Sequence, residues 1–150
     1  LRRDELVNMT WKDIKRQGER TVLEIKGKGE KSRVVPISEA LEAILEDWRL
    51  FCEADKSERV VRSFAAGGVL TDSLTSAQVF NIVRKEGKRI GKPGLAPHDL
   101  RRSFAQLGFE NGVPVTQLSR LLGHASIETT QKYLNLELDL DVTASDFVPL

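Results

Sequence analysis

The stretch PHDLRRSFAQLGFENGVPVTQLSRLLGHASIETTQKY, residues 97–133, decides the fold class. Prolines and glycines punctuate it at helical lengths. Pro97 pre-organises a first helical turn and Gly112 closes that helix; Pro114 opens a second, which ends near Gly123. Ser126 caps a third that runs through Tyr133. At about 100° per residue, Leu100, Phe104 and Leu107 cluster within about 60°, which predicts that they face the core. His98 and Arg101 then share one flank of the same helix. Two such donors side by side suit an anion, phosphate above all. The tetrapeptide His98-Asp99-Leu100-Arg101 also fits a blander reading, a helix-start histidine followed by a solvated arginine.

Upstream, the pattern changes. Thr21–Ile25 and Arg33–Ile37 are β-branched runs separated by Lys26-Gly27-Lys28-Gly29-Glu30-Lys31, which predicts a β-hairpin. Pro36 places the second strand at an edge or ends it. Ser38 predicts the N-cap of a helix whose face Leu41, Ile44, Leu45, Trp48 and Phe51 belongs in the core. A further helix is expected from about Ser76 to Ile90, stopped by Gly91 and Pro93. Arg2 to Met9 has helical spacing and reads as the end of a longer helix. Beyond Tyr133, Leu134, Leu136, Leu138, Leu140 and Val142 alternate with polar residues, which predicts a half-buried strand. The expected class is mostly α with a small antiparallel β-sheet (α+β).

Composition narrows the function classes. With 150 residues, 40% hydrophobic and 30% charged, the chain reads as one ordinary globular domain, neither disordered nor fibrous. No apolar run approaches the roughly 18 residues that span a bilayer, and no signal peptide is visible. A single cysteine, Cys52, excludes an internal disulfide framework, and two histidines argue against a zinc site. Net charge is +1, but residues 134–150 hold four acids and no Lys or Arg, which leaves 23 basic against 18 acidic residues before them. That excess is too mild for charge alone to signal nucleic acid. The start at Leu1, without Met, reads as an excised piece of something longer.

Taken singly, the polar candidates are weak. Lys28 between two glycines fits an exposed hairpin lysine guarding an edge, and the string around it is no nucleotide P-loop. His124 after Gly123 fits a helix cap, and Tyr133 fits a packing residue.

Their joint order is what distinguishes them. Arg2 in Leu1-Arg2-Arg3-Asp4-Glu5-Leu6, Lys28 in Gly27-Lys28-Gly29, His98-x-x-Arg101, Leu121-Leu122-Gly123-His124 and Tyr133 nine residues later resemble the tyrosine recombinase (phage-type integrase) family. The resemblance covers Leu1 to about Asn135. It implies a catalytic domain over 1–135 and a docking tail over 136–150, with the family's N-terminal DNA-clamping domain absent from this chain. By motif, Arg2, Lys28, His98, Arg101, His124 and Tyr133 match the six active-site positions, with Tyr133 as nucleophile.

The chemistry suits these residue types. A tyrosine oxygen attacks a phosphodiester once its proton is removed. Two guanidiniums stabilise the charge that grows on the non-bridging oxygens. His98 would take the phenolic proton, His124 would donate to a phosphate oxygen, and Lys28 would protonate the departing 5′-oxygen. The product would be a 3′-phosphotyrosine, and neither metal nor other cofactor is expected.

The resemblance also implies double-stranded DNA as partner, four copies on two duplexes, a monomer in solution, and a cytoplasmic, DNA-associated protein of bacterial or phage origin. A rival reading takes 115–130 as the helix–turn–helix of a non-catalytic DNA-binding module. Type IB topoisomerases and telomere resolvases share the chemistry and differ in outcome.

Overall fold

The computed structural model describes residues 1–26, 32–56 and 58–136. Helix α1 (Arg3–Asn8) leads into strands β1 (Ile14–Gln17), β2 (Arg20–Lys26) and β3 (Ser32–Pro36), followed by helix α2 (Glu39–Cys52). Helices α3 (Ser76–Arg89), α4 (Pro97–Glu110), α5 (Val115–Leu122) and α6 (Ile127–Tyr133) complete the described chain. The sheet is antiparallel in the order β1-β2-β3, with Ile14 opposite Leu23 and Val22 opposite Pro36. The class expected from the sequence is the class found, and Pro36 sits at the end of an edge strand, where a missing N–H costs no ladder bond.

Caps explain several helix starts. Ser38 Oγ accepts from Leu41 N at 3.3 Å. Thr75 and Gln78 form a reciprocal capping box at 3.2 and 2.8 Å. Ser126 Oγ accepts from Glu128 N at 3.1 Å. Two apolar clusters hold these elements. Ala105, Leu118, Leu122 and Leu134 join α4, α5 and the end of α6. Trp11, Ala54 and Val60 form the second, with Leu45 and Trp48 of α2 packed on them. Fully burying a leucine such as Leu118 contributes about 2 kcal/mol.

The structure corrects five expectations. Helix α1 starts at Arg3 with Arg2 as an extended N-cap, so this segment is a short helix with its own beginning. Strand β1 was not anticipated: Ile14-Lys15-Arg16-Gln17 has one apolar residue and becomes a strand because β2 pairs with it. The apolar face of α2 is covered only in part, since Leu45 and Trp48 reach the second cluster while Leu41, Ile44 and Phe51 remain exposed.

In α4, Leu100, Phe104 and Leu107 do not enter the core. The buried face instead carries Arg101 and Ala105, with Gly108 one turn on. Small residues let α5 approach, and a Cβ on Gly108 would lie 2.9 Å from Leu118 Cδ2. Finally, Leu134 does not start a strand. It caps α6 and is buried, Asn135 takes a left-handed φ of 52°, and Leu136 N returns to Gln131 O at 3.0 Å. The rest of the alternating stretch, the tail and its docking role, and the turn 27–31 with Lys28 lie outside the described residues.

Candidate active site

Arg2 stands at the head of α1. Its backbone N–H donates to Glu5 Oε2 at 2.6 Å and its Nη1 to Glu5 Oε1 at 3.1 Å, while Nη2 reaches across to Gly123 O at 3.1 Å. Gly123 is the left-handed C-cap of α5, with φ of 65°. Its missing side chain matters twice, because a Cβ there would lie 2.9 Å from Arg33 Nη1. Arg33, on β3, donates through Nη2 to Glu5 Oε2 at 2.6 Å and through Nε to Leu121 O at 2.9 Å. One carboxylate and one guanidinium therefore tie α1, the sheet and the end of α5 together. Burial alone would raise the Glu5 pKa. The bonds from Arg33 and the Arg2 N–H outweigh it and bring the group to about 2.

Arg101 lies on the buried face of α4 and donates through Nη2 to Leu122 O. Its Nη1 is buried without a hydrogen-bond partner among the described residues. Burial, then the charge of Arg2, pull its pKa below the usual arginine value. His124 follows Gly123, and its Nδ1 lies 2.9 Å from Thr130 Oγ1. Burial followed by the charges of Arg101, Arg2 and Arg33 lowers its pKa below 6.5. Tyr133 ends α6, with its hydroxyl donating to the backbone carbonyl of His98 at 3.3 Å. Both imidazoles stand edge-on to its ring, His98 at 5.3 Å and His124 at 5.4 Å between centroids. Burial raises the Tyr133 pKa above 10.0, against the opposing pull of Arg101 and Arg102.

Arg2, His98, Arg101, His124 and Tyr133 line an open groove of about 750 Å³. Its lining also includes apolar Leu6, Val79, Val83, Leu100 and Phe104, so the exposed face of α4 has a place in the architecture. The structure thus brings five of the six candidates together; Lys28 lies outside the described residues. Two guanidiniums and two imidazoles around a phenol can bind an oxyanion beside a nucleophile and move its proton. No group of three or more His, Cys, Asp or Glu able to hold a metal occurs among the described residues.

Reading the sequence missed Glu5, Arg33 and Thr130. Glu5 stands inside the Leu1–Leu6 motif but carried no role there. Arg33 was detectable only as a charged residue within a β-branched run. Thr130 had no signal of its own.

With this geometry established, the chain matches the model of the phage integrase family over residues 1–138, and it belongs to that family. It is 34% identical over 143 residues to tyrosine recombinase XerA of Pyrococcus horikoshii, covering 89% of this chain and 45% of the relative. Against tyrosine recombinase XerC of Bifidobacterium longum it is 31% identical over 150 residues, covering 93% and 41%. Among solved structures it resembles the XerH site-specific recombinase bound to its difH substrate, with TM-score 0.70, 25% identity, and coverage of 92% of this chain and 39% of that one. The XerA recombinase crystal structure gives TM-score 0.68 at 28% identity, covering 91% and 48%. The chain spans less than half the length of these curated relatives.

Proposed function

We propose that this chain is the catalytic part of a site-specific DNA recombinase that cuts and rejoins strands through a 3′-phosphotyrosine. One observation carries the reading. Arginines from α1 and α4, and histidines from α4 and the α5–α6 turn, converge on the single tyrosine of the chain in one groove. The relatives support the substrate class, since they are named tyrosine recombinases and one structural neighbour is bound to its DNA substrate.

In the proposed reaction Tyr133 Oη forms a bond to phosphorus while the bond to the 5′-oxygen breaks. Arg2 and Arg101 bind the non-bridging oxygens and stabilise the charge of the pentavalent transition state. His98 takes the phenolic proton, His124 donates to a phosphate oxygen, and Lys28 protonates the leaving 5′-oxygen. Because the phenol pKa lies above 10.0, the nucleophile starts neutral and needs that base. The phosphotyrosine keeps the energy of the broken bond, so another 5′-hydroxyl can attack it and rejoin strands without a nucleotide.

The helix–turn–helix reading has less support. The α5–turn–α6 outline is present, but its turn and its last helix deliver His124 and Tyr133 to the groove.

The test incubates the chain with nicked suicide duplexes drawn from a pool of inverted repeats. A covalent protein–DNA adduct is expected, and it disappears in Tyr133→Phe. An adduct that survives Tyr133→Phe overturns the site assignment, and no adduct from any duplex returns the chain to a binding role.

A further inference from the structure

Thr130 is fully buried, with 0% exposure, in the middle of α6. Among the described residues its hydroxyl has a single polar partner, Nδ1 of His124 at 2.9 Å. A threonine hydroxyl carries one proton. If the imidazole were the donor in this pair, that proton would have no acceptor among the described residues in a site closed to solvent, which leaves a buried donor unsatisfied. The hydroxyl is therefore the donor and Nδ1 the acceptor. A neutral imidazole that accepts on Nδ1 carries its own proton on Nε2.

We propose that Thr130 is a positioning residue, whose hydroxyl locks His124 as the Nε2–H tautomer and aims that donor into the groove. The ring also stands at a steep angle to that of Tyr133 with centroids 5.4 Å apart, and the His124 backbone N–H is tied to Ser119 O at 3.1 Å. Protonating the ring would place a hydrogen on Nδ1 and force the hydroxyl to turn and accept. The surroundings oppose this as well: Arg101 and His98 on α4, Arg2 at the head of α1 and Arg33 on β3 all disfavour a further positive charge on His124. A neutral ring with a fixed N–H is a donor to phosphate that needs no reorientation when charge develops. The value of this for catalysis rests on the function proposed above, whereas the hydrogen bond does not.

The test has two arms. The first records long-range ¹H–¹⁵N spectra of the labelled chain near neutral pH. The chain has two histidines, so His98→Gln assigns the signals. In the wild type His124 Nδ1 is expected as a bare, hydrogen-bonded nitrogen and Nε2 as the protonated one. Thr130→Val shifts the Nδ1 resonance toward that of an unbonded nitrogen, and Thr130→Ser leaves it in place. A proton on Nδ1 in the wild type, or an Nδ1 signal indifferent to Thr130→Val, overturns the proposal. The wild-type spectrum decides the tautomer whatever the fate of the valine variant.

The second arm measures the rate of adduct formation. Thr130→Val is expected to slow it about tenfold, with recovery in Thr130→Ser and no further effect once His124→Gln is present. Spectra as expected with an adduct rate unchanged in Thr130→Val keep the hydrogen bond but overturn the positioning role. Spectra as expected with no adduct in any variant, wild type included, uphold the Thr130 bond and place the failure in the functional reading of the groove.

Discussion

Arg101 shows how a single side chain divides its work. One Nη anchors the guanidinium to the α5 carbonyl of Leu122, and the other is buried without a hydrogen-bond partner among the described residues. Lysine keeps the charge but not the planar fork. Arg101→Lys should therefore reduce adduct formation by about 10²–10³, as loss of an oxyanion donor does, and single-turnover assays on the suicide duplex measure it. The two titrating neighbours move in opposite directions. Burial holds the His124 pKa below 6.5, so an NMR titration should find its midpoint on the acid side of an ordinary histidine. Burial raises the Tyr133 pKa above 10.0, so adduct formation should keep accelerating as pH rises on the alkaline side.

The elements are joined by Glu5 and Arg33, and their pairing has a measurable pH signature. The Glu5 carboxylate is 13% exposed and its pKa falls from 4.5 to about 2 on folding. Its stabilisation is complete above pH 4.5 and is lost as pH drops toward 2, because the unfolded chain takes up the proton first. That difference corresponds to about 3 kcal/mol at neutral pH. Urea unfolding of Glu5→Gln near neutrality and near pH 3 should show lower stability than wild type at the first and a much smaller gap at the second. Gly123→Ala should destabilise by about 1–3 kcal/mol in the same assay, since it combines a left-handed φ with a 2.9 Å clash against Arg33.

What the sequence made legible also divides at this scale. Caps and breakers such as Ser38, Pro97, Gly112 and Ser126 act locally, so the helix boundaries were readable from them. Periodicity shows that a helix has an apolar face but not whether anything covers it, so it points Phe51 and Phe104 toward a core they do not enter. Strand β1 exists through its pairing with β2. Arg33 matters through a carbonyl 88 residues away, and such a contact leaves no local signal.

For the whole molecule, the resemblance carries the expectation of a monomer in solution and four copies on two duplexes. Light scattering with and without a suicide duplex that yields the adduct should show that change; a DNA-free tetramer would contradict it. No helix of the described residues is long and apolar enough to cross a membrane. The groove draws its polar residues from Arg2 at one end of the described chain to Tyr133 near the other, and Arg2 bonds Gly123 across 121 positions. This span has a consequence for the timing of reactivity. On the ribosome Arg2 emerges long before His124 and Tyr133, and loop closure of that length is among the slower events of folding. The phenol therefore meets its arginines only after the surrounding helices have docked, and a locally opened molecule loses them again. Under the function proposed above, strand cutting is thereby confined to the completed fold, and a half-made chain leaves DNA intact.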